Sequence, residues 1–145
     1  SVTLCMLRKE KMETNKLYKI ADNQGITVDF ADMPTVKSAC LSVGGKKFIA
    51  IDKGVRSGSA EEKVKLAHEI GHCENESFYF LGEEEQARKT KEKRADMWAI
   101  LNLVPLCELE LAVRSGKEDI SLLAEHFGVT EAFMQKALQY YCEKI

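Results

Sequence analysis

Two of the three histidines in this 145-residue chain, His68 and His72, lie four residues apart with Glu69 between them, in the run K-L-A-H-E-I-G-H. On a helix that spacing puts both imidazoles on one face, one turn apart, able to grip a single Zn²⁺ ion. Glu69, one residue round the helix from His68, can reach a zinc-bound water rather than the metal, the position a general base requires. The H-E-x-x-H pattern is short. Its bland alternative is two surface histidines on an ordinary amphipathic helix.

Two ligands do not make a catalytic zinc site, so a third must be found. A continuation H-x-x-G-x-x-H is excluded, because Asn75 and Phe78 stand where glycine and histidine are needed. The remaining common option is a glutamate from a following helix: Glu76, the run Glu83-Glu84-Glu85, or Glu92. Glu76 is four past His72 but falls where the helix should fray. The triple run suits the acidic, solvated first turn of the next helix. Glu92 is favoured because Asp96 follows at i+4. That spacing turns Glu92 towards the metal and Asp96 towards the outer nitrogen of a liganding histidine, fixing its tautomer and raising its basicity. The bland reading of Glu92 is an exposed member of the mixed-charge stretch R-K-T-K-E-K-R.

The elements that must position these residues follow from the surrounding pattern. Ser59-Ala60-Glu61-Glu62 fits a capping box opening a helix that runs to about residue 75, with Val64, Ala67, Ile70 and Gly71 on its apolar side. A second long helix covers roughly 83–103 and stops at Val104-Pro105. Ala95, Trp98 and Ala99 supply the face that presses it onto the first. Upstream, residues 10–23 read as a helix with Leu17, Ile20 and Ala21 inward, and 26–30 alternate like a strand. Residues 36–52 read as two strands around Gly44-Gly45. Downstream, 106–114 and 119–142 are helical, broken at Ser115-Gly116. Strands first and helices afterwards predict an α+β fold, a small antiparallel sheet beside a helical bundle, with H-E-x-x-H on a central helix and a helical C-terminal tail. Length predicts a single domain over 1–145, its catalytic core at about 15–105 and its tail at about 106–145.

Composition excludes whole classes. Hydrophobic residues at 45% and charged residues at 30%, with 2 Pro and 9 Gly, rule out a disordered or low-complexity chain. A net charge of -2 gives no bulk reason to coat nucleic acid or an anionic membrane. No apolar run reaches the length of a membrane span. Ser1 to Lys11 places its apolar stretch before its charges, the reverse of a secretory signal. Five scattered cysteines without a C-x-x-C pair argue for reduced thiols in a cytosol. Residues 120–138 satisfy helix-turn-helix spacing, with Ala124, Gly128, Val129, Met134 and Ala137 at the expected places. Yet residues 117–145 hold three Lys against five acidic residues, so the segment is poorly equipped to bind duplex by itself and suits a structural or protein-docking role.

The combination L-A-H-E-I-G-H, then E-K-R-A-D-M-W-A, then N-L-V-P resembles the ImmA/IrrE family of zinc metallopeptidases, over about residues 15–140. Arg94 and Trp98 depart from that family's usual Glu and Phe. The resemblance implies that Glu92 is the third zinc ligand. It also implies a compact form lacking the N-terminal DNA-binding domain that many members carry. The implied activity is site-specific, cytoplasmic cleavage of a transcriptional repressor of a prophage or mobile element. An oxyanion donor is left open among Tyr79, Tyr140, Tyr141 and His126, and the edge of the 36–52 hairpin is a place for an extended substrate. The competing reading is a non-catalytic regulator with a structural zinc, binding protein or DNA through its C-terminal helices.

Overall fold

Gly44 and Gly45 both adopt positive φ, 57° and 81°, which a two-residue hairpin turn demands and glycine supplies without strain. In the computed structural model, which describes residues 12–79 and 82–144, this turn lies within a series of nine elements. They are α1 (Thr14–Asn23), β1 (Ile26–Ala31), β2 (Ser38–Val43), β3 (Lys46–Asp52), α2 (Ala60–Glu74), α3 (Glu85–Leu103), α4 (Leu106–Arg114), α5 (Ile120–Phe127) and α6 (Glu131–Glu143). The reading of Ser1 to Lys11, and the start of the helix expected over 10–23, fall outside the described residues. No helix of the described residues is long and apolar enough to cross a membrane.

The fold is α+β, but its sheet is mixed rather than antiparallel. β2 pairs antiparallel with β3 through the hairpin, while β1 pairs with β3 in parallel, giving the order β1-β3-β2. The connection 32–37 carries the chain across, so that β3 returns between the two earlier strands. Asp52 ties that crossing down, its carboxylate accepting from Met33 N at 2.9 Å and Gly54 N at 3.0 Å. β3 takes the middle because Ile49 and Ile51 seal the sheet against the helices, at 1% and 0% exposure.

Ser59 caps α2 as predicted, its side chain accepting from Glu62 N at 3.1 Å. The reciprocal half of the box is different. The Glu62 carboxylate accepts from Gly58 N (3.1 Å) and from the Tyr18 hydroxyl (3.0 Å), which ties α2 to α1 instead. Leu66, Ala67, Ile70 and Cys73 of α2 are fully buried, so this helix is the axis of the molecule. α3 crosses it through Ala95 and Ala99, both fully buried. At that crossing a Cβ on Gly71 would lie 2.7 Å from the Ala95 carbonyl oxygen, so only glycine admits the approach.

The tail has helix-turn-helix geometry. Asp119 and Thr130 cap α5 and α6, Gly128 turns between them at φ 66°, and Ala124, Val129, Met134 and Ala137 are buried as expected. Two long-range bonds fasten it: Lys63 Nζ donates to Phe127 O at 2.7 Å and the Tyr141 hydroxyl donates to Val104 O at 2.6 Å. Tyr141→Phe leaves that carbonyl buried without its donor and should cost about 1–2 kcal/mol, read by urea denaturation. Among the described cysteines, Cys40, Cys73 and Cys142 are free.

Candidate metal centre

α2 and α3 bring three predicted side chains to one point. One ligand atom each from His68, His72 and Glu92 lies within 4.8 Å of the others, a group that could hold a metal ion. Glu92 spans the pair, with Oε2 2.9 Å from His68 Nε2 and Oε1 3.1 Å from His72 Nε2. The outer nitrogens are already engaged. His68 Nδ1–H donates to Asp96 Oδ1 at 2.8 Å, and His72 Nδ1–H donates to the Ser77 carbonyl at 2.9 Å. With each Nδ1 occupied, both Nε2 atoms are left facing the glutamate, and this two-nitrogen, one-carboxylate donor set suits a borderline metal such as zinc.

The electrostatics agree with the geometry. Burial pulls the His68 imidazole down, but the carboxylates of Asp96, Glu92 and Glu69 outweigh it and push the pKa up to about 9. Hydrogen bonds from His68 and His72 hold Glu92 far below the ordinary carboxylate range. Burial raises Asp96, yet its bond to His68 and the nearby Lys136 bring it below its ordinary value. A metal binding here would displace a proton from His68 at neutral pH.

Glu76, Glu83 and Glu85, which the sequence left open, are engaged elsewhere. Glu76 follows the end of α2 at φ 51°, a left-handed turn that swings it outward to an ion pair with Lys47 at 3.9 Å. The same turn returns Ser77 beneath His72. Glu83 pairs with Lys91, and Glu85 with Lys89.

Glu69 stands beside the group but outside it, 5% exposed, with the Ser38 hydroxyl donating to its Oε2 at 2.6 Å. Glu69, Ser38, His68, His72, Glu92, Asp96 and Ser77 line one cleft of about 550 Å³, walled on one side by the segment from Val36 to Cys40. β2, like β1, is an edge strand of the sheet, and its residues Ser38, Ala39 and Cys40 line this cleft. Of the four oxyanion candidates Tyr79 alone lines it, with its ring 5.7 Å from that of His72. Tyr140 lines a neighbouring groove, the Tyr141 hydroxyl is committed to Val104, and His126 packs on Phe127.

Some residues that touch the site's side chains were not placed there by the sequence. Ser38 and Cys40 arrive from β2, Ser77 from the turn after α2 and Lys136 from α6, where its Nζ lies 3.2 Å from Asp96 Oδ2. Ser77 alone had a local signal, a small polar residue just past the histidine helix. The Cys40 thiol hydrogen-bonds Cys73 and, with burial and the Glu69 charge, is pushed well above its ordinary range.

A mixed three-stranded sheet backing a helix that presents two histidines and a glutamate to a carboxylate from the next helix defines the class: a domain with the donor set of a metallopeptidase. The chain belongs to the Peptidase M78 family, described as the IrrE N-terminal-like domain, which matches residues 21–139. Among solved structures it is similar to a Mycobacterium tuberculosis transcriptional regulator at 19% identity and a TM-score of 0.63, a likeness of fold. That match covers 83% of this chain and 38% of the regulator, so the chain spans well under half of that relative. No curated protein matches the chain.

Proposed function

We propose that the chain is a zinc-dependent endopeptidase that cuts a partner protein at a specific site, the partner being a cytoplasmic transcriptional repressor of a prophage or mobile element. The observation that carries this reading is Glu69: a buried carboxylate beside the His68–His72–Glu92 group that is not one of its three converging donors. A structural zinc is usually held by four protein ligands and needs no such neighbour.

When bound by His68, His72 and Glu92, zinc acidifies water and polarises a carbonyl. Glu69 takes the proton from the attacking water and hands it to the leaving amine. The Ser38 hydroxyl, donating to one oxygen of Glu69, fixes the carboxylate and leaves the other oxygen towards the cleft. Asp96 orients His68, and the Ser77 carbonyl orients His72. The half-exposed Tyr79 hydroxyl is the donor placed to meet negative charge on the carbonyl oxygen. The substrate lies extended along the edge of β2, where main-chain pairing holds its backbone over the cleft.

The purified protein is expected to carry about one zinc per chain, and His72→Ala is expected to carry almost none, as read by metal analysis. Cleavage of a candidate repressor should disappear with a chelator and return with zinc. Wild type free of zinc, or zinc content indifferent to His72→Ala, would overturn the reading.

A further inference from the structure

The chemistry above leaves a groove between α3 and α6 unused. It encloses about 710 Å³ and continues the cleft, since Asp96 and Lys136 line both. Lys89, Lys93 and Arg94 stand on its α3 wall, and Lys136 and Lys144 on its α6 wall. Against these five cations are two carboxylates, Asp96 and Glu143. Both are engaged, Asp96 by His68 and Lys136, and Glu143 by Gln139 at 3.3 Å. Lys89 pairs with Glu85 at 3.4 Å, an exposed contact that another carboxylate can replace at little cost. Lys93 and Arg94 are exposed. In a chain of net charge -2, positive charge is thus gathered in one furrow. Its floor is apolar, made by Met97 and Ile100.

We propose that this groove docks an acidic segment of the protein substrate, one carrying apolar side chains for the floor, next to the segment being cut. The proposal rests on the endopeptidase reading. Carboxylates on the segment meet the two basic walls, which speeds encounter and selects the partner. Continuity with the cleft favours a polypeptide, because a chain leaving the cleft past Asp96 enters the groove directly. Nucleic acid is less well served: the floor is aliphatic, and the one aromatic ring lining the groove, Tyr140, already carries Lys144 Nζ at 5.7 Å from its centroid. From Gln86 to Ile100 the α3 wall runs about 21 Å, room for roughly 14 helical residues.

The test uses the zinc-loaded full chain carrying Glu69→Gln, so that the probe is not consumed. The probe is a fluorescent peptide of about 16 residues made of Glu, Ala and Leu, with a Lys-for-Glu counterpart and a single-stranded oligothymidylate beside it. By anisotropy at low salt the acidic peptide should bind, the basic one should not, and added salt should weaken binding. Lys93→Glu with Arg94→Glu should weaken it about tenfold or more, and Lys144→Glu on the opposite wall should weaken it too. Unchanged circular dichroism and zinc content in these variants would show that the fold is intact. No binding of the acidic peptide, binding indifferent to both reversals, or oligothymidylate binding more tightly and being lost on the same reversals would overturn the proposal. Binding is read without cleavage. A repressor cut normally by a chain with no affinity for the peptide overturns the groove and leaves the peptidase reading, whereas peptide bound by a wild-type chain that cuts nothing overturns the peptidase reading and leaves the groove as an acidic-peptide site without a substrate role.

Discussion

Glu69→Gln should lower cleavage of the repressor by about 10²–10⁴-fold while leaving zinc in place. The substitution keeps the volume of the side chain and keeps an oxygen that can accept from Ser38 Oγ, now 2.6 Å away. What it removes is the capacity to take a proton from water and release it to the amine. Because the three converging donors do not include Glu69, metal content should match wild type. The pairing of the two measurements decides between functions. A regulator whose zinc is structural would be indifferent to the change, so full activity of a partner-binding function with no cleavage in either protein would favour that class. Loss of zinc together with activity would instead place Glu69 among the ligands and end its assignment as the base.

Gly71→Ala should destabilise the protein by about 1–3 kcal/mol and weaken zinc binding roughly tenfold or more. Helix propensity alone predicts the opposite sign, since alanine in a helix interior is favoured over glycine by up to about 1 kcal/mol. The difference comes from the crossing. An added Cβ would meet Ala95 O at 2.7 Å and Ala95 Cα at 3.0 Å, and both are backbone atoms that no side-chain rotation can move. α3 must then lift, and with it go Glu92 and Asp96, which flank Ala95 on the same helix. Thermal denaturation measures the first effect and competition with a chromophoric chelator the second. A stabilised variant with wild-type zinc affinity would show that the crossing relaxes without disturbing the donors.

The parts of the site that were legible in the sequence share one physical basis, the 3.6-residue repeat of a helix. His68 and His72 at i and i+4 had to share a face once the helix existed, and so did Glu92 and Asp96. The capping serine, the glycine hairpin and the proline stop were equally local, which is why the boundaries of α2, the 44–45 turn and the end of α3 agree with expectation. The third donor was favoured by local spacing, yet Glu76 sat nearer. What separates the two is the left-handed turn at Glu76, which sends its side chain out to Lys47.

By itself, then, the sequence determined the helical pairings and the chemistry available to them: two imidazoles, a base and a carboxylate with its partner four residues on. Only the tertiary structure decided the sheet's mixed pairing, because a strand's alternation names its buried face and not its neighbour. It also decided that α2 and α3 touch at Gly71 and Ala95, and that Ser38 reaches Glu69 from the start of the edge strand β2. The role of the tail was likewise hidden. Its helix-turn-helix spacing was plain, but that Lys136 stands against Asp96 follows from how α6 packs, and packing depends on surfaces that are assembled only when distant segments meet.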